Sequence, residues 1–273
     1  MRLTWKQVCE ARPVEMPGLL AFMERRRPGS TREVRAATPA QIAALVEPLD
    51  GGTDALPRVY LDFLETMGEH TEALEPRCIV SSVTALLTER SERSEPGRSR
   101  PDPTRYFKFS IGEGDYNGRQ PDDFFDLSRM RLDRRDAAVV RILEGDLVRG
   151  RGSPDEPFAS FSDQLRAVAA SEFGLDAEAE RSVAFGFGDD ADADAAARGY
   201  EFLGGLGFEL TELGASPSRM VLEDARRGAF ALLNGPSPMI PGTLLRVHIP
   251  TGKDGLHLAE VLKDYRDRAM GLA

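Results

Sequence analysis

A short amphipathic segment at residues 56–68 constrains the fold more than any other stretch of this chain. Its apolar residues recur at steps of three and four, which places them on one face of a helix: Leu56, Val59, Tyr60, Phe63, Leu64 and Met67. Thr53 or Asp54 can cap this helix, Pro57 suits its first turn, and Gly68 can close it in the left-handed conformation. The apolar face has to be buried, and no residue here has the character of a nucleophile or a metal ligand. We therefore predict a core helix.

The segments around this helix predict a mixed α+β fold. Thr38-Pro39 opens another helix, which ends at Gly51-Gly52. Three later segments have the alternating or β-branched and aromatic character of strands: 105–111, 123–127 and 137–143. Residues 145–157 are predicted to form a loop, and Phe158 leads into a helix that runs to about Gly174.

Residues 181–273 predict a smaller C-terminal α+β module. It has one helix after its first strand, a final helix at about 255–270, and strands at 182–187, 207–211, 220–223, 229–233 and 244–249. Residues 182–211 loosely resemble half of a glyoxalase-like module, but the first strand offers no metal ligand. The predicted division is an N-terminal extension at 1–37, a domain at 38–176 and the module at 181–273.

The charge balance favours a protein partner. The chain has 35 basic and 45 acidic residues, a net charge of −10, which repels phosphate backbones and argues against direct nucleic-acid binding. It would attract a basic protein, although ordinary solubility explains the charge equally well. No run approaches the roughly 18–20 apolar residues of a membrane helix. The N-terminus lacks secretory-signal features, and Cys9 and Cys78 have no metal-ligand spacing, so we expect a cytoplasmic protein.

Acidic and aromatic residues crowd a turn and the two predicted strands that it joins. They form the candidate partner-binding site: Glu113, Asp115, Tyr116, Asp122, Asp123 and Asp126. Such a surface can face the Lys and Arg residues of a basic protein, where charge adds association rate and specificity. The alternative is an ordinary solvated loop.

Other chemistry-bearing patterns are weak. The acidic run at 189–194 lacks the Gly and the final Glu of a calcium loop, so acids at a helix start explain it better. His70, His248 and His257 are far apart, without zinc-ligand spacing. No G-x-S-x-G motif occurs. We expect no metal and no cofactor.

Four motifs together resemble the SUKH superfamily, also called Smi1/Knr4, over residues 38–174. They are the helix before Gly51-Gly52, Leu56-Pro57-x-x-Tyr60-x-x-Phe63-Leu64, the strand pair at 106–109 and 123–127, and Phe158-Ala159-Ser160-Phe161-x-x-x-Leu165. Met67-Gly68-Glu69 departs from the Asn-Gly that often follows the Leu-Pro helix in the family.

The resemblance implies helices around a central sheet and a binding role without catalysis. Many bacterial members of the family are immunity proteins that neutralise a nuclease or deaminase toxin, whereas fungal members are regulators that bind other proteins. We therefore expect an immunity protein acting on a toxin with a basic surface. A regulator or scaffold without a toxin partner is the alternative, and an enzyme with its site in residues 181–273 is the third possibility. The oligomeric state is left open.

Overall fold

The computed structural model confirms the α+β class. It describes residues 4–10, 12–70, 74, 79–80, 82–92, 101–102, 104–112, 121–142, 155–174, 181–187, 194–235, 243–250 and 252–269. Within these ranges the chain forms two five-stranded antiparallel sheets and eight α-helices.

The first sheet is a meander whose strands follow one another in chain order. Its strands are β1 (Ile79–Val80), β2 (Tyr106–Gly112), β3 (Asp122–Arg131), β4 (Asp136–Ile142) and β5 (Asp155–Phe158). The helices around it are α3 (Pro39–Val46), α4 (Arg58–Met67), α5 (Val83–Glu92) and α6 (Phe161–Ala169). The predicted loop at 145–157 is wrong at its end, because residues 155–157 belong to the short edge strand β5, which pairs with β4.

The termini of α3 and α4 test the predicted caps. The Thr38 hydroxyl accepts from the Gln41 N–H at 3.2 Å, and the Gln41 side chain accepts from the Thr38 N–H, so the predicted cap of α3 is confirmed as a capping box. In α4, Pro57 is the N-cap residue and no side chain caps the helix. Gly68 has φ −64°, so the predicted left-handed ending is wrong. A Cβ at Gly68 would lie 2.7 Å from Leu64 Cα, so a close approach, and not an unusual φ, requires glycine here.

An aromatic cluster joins α4 and α6 to the first sheet. The Tyr60 ring lies 4.9 Å from that of Phe125 and 5.4 Å from that of Phe161, both edge to face. Phe161 in turn lies 5.3 Å from Phe109 of β2. Each such pair contributes about 0.5–1.5 kcal/mol beyond burial. The cluster therefore fixes α4 and α6 over the same face of the first sheet.

The second sheet has the strand order β6-β10-β9-β8-β7. Its strands are β6 (Arg181–Phe187), β7 (Glu209–Ser216), β8 (Arg219–Asp224), β9 (Ala229–Asn234) and β10 (Thr243–Ile249), and its helices are α7 (Ala195–Gly205) and α8 (Lys253–Ala269). Leu203 of α7 and Leu258 and Leu262 of α8 pack in one core with Leu245 and Val247 of β10. The strands and helices predicted for residues 181–273 are all present.

The N-terminal extension packs against the second sheet. It contains α1 (Trp5–Cys9) and α2 (Met16–Arg26). Arg25 bridges Glu212 of β7 at 2.6 Å and Glu223 of β8 at 2.7 Å. One hydrophobic cluster includes Phe22 of α2, the core of the first sheet and Phe230 of β9. The predicted segment boundaries stay a prediction, but the three segments share this core.

Candidate functional site

The predicted partner-binding residues divide into two groups. Glu113, Asp115 and Tyr116 lie outside the described residues. Asp122, Asp123 and Asp126 lie on β3 and are buried. Each of these three carboxylates forms an ion pair with a basic side chain on or next to an adjacent strand. Asp122 pairs with Lys108 of β2 at 2.5 Å, Asp123 with Arg141 of β4 at 2.8 Å, and Asp126 with Arg105, directly before β2, at 3.3 Å.

The three β3 carboxylates were expected on an exposed acidic surface, but the structure shows that they are buried and paired within the chain. Burial opposes ionisation of Asp126, but hydrogen bonds from Ser128 and Arg105 hold its pKa below the ordinary value. Asp123 also accepts from the Gln164 side chain of α6 at 3.0 Å. The charges are thus matched inside the chain, and partner binding through all six residues stays a prediction. The signal in the sequence was the presence of basic residues on both adjacent strands, which allows cross-strand pairing.

A pocket of about 480 Å³ lies where elements of both sheets meet. Its lining comes from α1, the segment after it, the β3–β4 turn, the start of α6, the first turn of α7 and the β7–β8 turn: Trp5, Arg12, Arg131, Leu132, Asp136, Ala159, Ser160, Asp163, Arg166, Ala196, Ser216, Pro217 and Ser218. Sequence reasoning did not single out this site, because its residues come from segments that carry no motif in common.

A buried polar network at this pocket ties the three parts of the chain together. Asp163 of α6 accepts from Arg166 Nη1 at 3.0 Å, from Ser216 Oγ at 2.5 Å and from Ser218 Oγ at 2.7 Å. Arg166 also donates to the Arg12 carbonyl at 2.6 Å and to the Leu213 carbonyl of β7 at 3.0 Å. Burial lowers the pKa of Arg166, and Asp163 opposes that effect. The guanidinium is thus satisfied by its own helix and by two distant segments of the chain.

Asp136 of β4 supports the start of α6 beside this network. Its carboxylate accepts from the N–H groups of Phe161 at 3.1 Å and Ser162 at 3.3 Å, and Ser160 caps the next N–H. A negative charge at a helix N-terminus is favourable. Burial nevertheless raises the pKa of Asp136, because desolvation outweighs these hydrogen bonds.

Arg219 is a second buried cation near the network. Only 9% of the residue is exposed, and its Nε atom has no hydrogen-bond partner among the described residues. The guanidinium lies 5.2 Å over the Phe158 ring of β5. Burial lowers the pKa of Arg219, which the charge of Asp163 counteracts. Two buried carboxylates, Asp136 and Asp163, thus accompany two buried guanidiniums.

The β3–β4 turn at the pocket is strained. Leu132, Asp133 and Arg134 have φ of 53°, 54° and 65°, although none is glycine. The left-handed region costs a non-glycine residue about 1–2 kcal/mol. Hydrogen bonds from the first N–H groups of α4 hold the turn, with Arg58 donating to the Arg134 carbonyl at 3.2 Å and Val59 to the Arg135 carbonyl at 2.9 Å. The turn places Leu132 in the pocket lining with 38% of the residue exposed.

A second pocket of about 480 Å³ lies on residues 13–17, α4 and Arg135. Its charged side chains are exposed and largely paired, with Arg58 at 2.8 Å from Asp62 and 3.6 Å from Glu65. Exposed pairs of this kind contribute little energy and organise no chemistry.

The described residues contain no group of three or more His, Cys, Asp or Glu placed to hold a metal ion. They also contain no helix with the length and apolar character to cross a membrane. No protein-family model matches the chain, and no curated protein or solved structure does.

Proposed function

We propose that the protein is a non-enzymatic binding module of the bacterial cytoplasm that neutralises a cognate toxin by covering its active site. The observation that supports this proposal is the aromatic cluster. It brings α4 with Tyr60 and α6 with Phe161, the two helices that carry the SUKH-like motifs, over one sheet, as a SUKH-like domain requires. A likeness of fold supports a function by association only. The net charge of −10 adds support, since it favours a basic protein partner over nucleic acid.

Within this proposal the contact residues are Glu113, Asp115 and Tyr116, which follow β2. Asp122, Asp123 and Asp126 hold the sheet from which this connection departs. Asp122, for example, accepts from the Gly112 N–H at 3.0 Å and so fixes the two ends of the connection. Acids in such a place act mainly on association rate and specificity.

The test is co-expression with the product of the adjacent gene, scored by growth rescue and co-purification. Glu113→Lys/Asp115→Lys is expected to weaken capture by about tenfold or more at low salt, because it reverses two steering charges. Glu47→Lys/Asp50→Lys makes the same charge change at exposed positions after α3 and is the matched control.

If the Glu113→Lys/Asp115→Lys variant still rescues growth, the assigned contact residues are wrong. An adjacent product that is not toxic, together with co-purification of a different protein, would instead support the regulator or scaffold alternative. The β3 aspartates are unsuitable for this experiment, because their reversal breaks internal ion pairs.

A further inference from the structure

We propose that the pocket between the two sheets binds a small organic anion. Its apolar body would lie against Trp5 and Leu132, and its acidic group would meet Arg12 and Arg131. This inference is independent of the toxin partner, because it rests on a different part of the molecule.

The size and lining of the pocket fit a small molecule. Its volume of about 480 Å³ lies within the range of roughly 300–1,000 Å³ that is usual for ligand sites. Apolar walls come from Trp5, Leu132 and Pro217, and hydroxyl groups from Ser160 and Ser218. A few polar groups on a mainly apolar surface are the usual composition of such a site.

The accessible charge of the lining is positive. Asp136 and Asp163 are almost fully buried, and their oxygens already accept hydrogen bonds from α6, Arg166 and the two serines of the β7–β8 turn. Arg12 is exposed, and the one ion pair that Arg131 makes with the described residues is a long contact of 3.8 Å with Glu156. Arginine recognises carboxylate and phosphate groups in a bidentate manner, so an anion is the complementary ligand.

Arg219 reinforces this polarity. It lies outside the lining but follows Ser218 directly, and its buried guanidinium, whose Nε has no partner among the described residues, favours a nearby negative charge. Asp163 is the carboxylate that acts on it, but Arg166 and two serines already share that group. The buried groups therefore leave no excess negative charge at the pocket.

The strained turn supplies a separate argument for a ligand. Leu132 and Leu256 are the large apolar residues that the described chain leaves exposed, and Leu132 lies in this lining. Two features of Leu132 are unfavourable in the free protein: its apolar side chain is exposed to water, and its backbone is in the left-handed conformation. Strain of this kind tends to occur at binding sites, and a ligand body packed on Leu132 would offset the exposure.

The test uses the full chain and four probes that share an indole ring: indole-3-acetate, indole-3-acetamide, tryptamine and 3-indoxyl phosphate. Isothermal calorimetry gives Kd, and thermal unfolding gives the shift in Tm. A probe at a hundred times its Kd should raise Tm by about 5–10 °C. We expect the two anions to bind about 10–100-fold more tightly than the amide, because charge-assisted hydrogen bonds are stronger, and tryptamine to bind most weakly.

The two anions distinguish carboxylate from phosphate as the natural acidic group. Arg12→Gln and Arg131→Gln should each weaken anion binding by about tenfold, and Arg12→Gln keeps the backbone carbonyl that Arg166 uses. Arg246→Gln, at an exposed position of β10 outside the lining, is the matched control.

Leu132→Gly separates binding from folding. Glycine tolerates positive φ, so this variant should have a higher Tm without ligand and a smaller Tm shift with indole-3-acetate. Equal binding of the acid, amide and amine would overturn the proposal. The same conclusion would follow if no probe binds, or if the Arg12 and Arg131 variants bind indole-3-acetate as tightly as the unchanged chain.

Discussion

Tyr60 combines a central packing position with a hydroxyl that has no hydrogen-bond partner in the described part of the chain. Its ring contacts five other aromatic rings of the first core, those of Phe63, Phe107, Phe109, Phe125 and Phe161. The hydroxyl is fully buried, and desolvation raises its pKa well above the ordinary value. The ring therefore stabilises the fold while its hydroxyl opposes that stabilisation.

Tyr60→Phe is expected to leave the free energy of unfolding unchanged or to raise it by about 1 kcal/mol, because it removes the unsatisfied hydroxyl. Tyr60→Ala should lower it by about 3–5 kcal/mol through loss of the ring and the resulting cavity. Urea unfolding of both variants measures the difference. A loss of stability in Tyr60→Phe would mean that the hydroxyl has a hydrogen-bond partner in solution.

At the scale of elements, local pattern predicted most of what the structure contains. The three- and four-residue periodicity of α4 and the alternation of β2 depend on near neighbours, so they can be read from the chain. Helix α1 was missed, although Thr4 and Gln7 form a capping box that the sequence contains. The β3–β4 turn could not be predicted, because non-glycine residues adopt positive φ there and the α4 N–H groups that hydrogen-bond the turn lie far away in the chain.

Helix α2 illustrates an element whose position depends on a close approach. A Cβ at Gly18 would lie 2.6 Å from the Glu212 carbonyl oxygen of β7, which is a backbone atom. Alanine usually improves a helix by up to about 1 kcal/mol over glycine, but overpacking costs typically about 1–3 kcal/mol. Gly18→Ala should therefore reduce stability, as measured by denaturant unfolding. Gly205→Ala in α7 has open space around its Cβ and should raise stability instead. Equal effects of the two substitutions would contradict the packing of α2 on β7.

At the scale of the whole molecule, the site was harder to predict than the fold. The pocket brings together Arg12, Asp136, Asp163 and Ser216, which are separated by up to about two hundred residues, and long-range contacts leave no local pattern. The β3 aspartates were mispredicted for the same reason, because their ion-pair partners lie on other strands. Their sequence pattern suggested an exposed surface, whereas Asp123 pairs with Arg141 on the neighbouring strand.

Arg166 connects all three parts of the chain through its hydrogen bonds to Arg12, Asp163 and Leu213. Arg166→Met would leave Asp163 buried without its cation and the Arg12 and Leu213 carbonyls without this donor. Breaking a buried pair in this way costs about 3–5 kcal/mol. Asp163→Asn/Arg166→Met should cost less than the sum of the two single substitutions, since both remove the same pair.

The shared core further implies that the unchanged chain unfolds as one unit. Trp5 is the only tryptophan, and it packs with the second core near Tyr200, whereas far-UV circular dichroism reports on both sheets. Coincident urea transitions by fluorescence and circular dichroism are therefore expected for the unchanged chain and, at a lower midpoint, for Arg166→Met. Two separated transitions in the unchanged chain would mean that the sheets unfold independently and that Arg166 does not couple them.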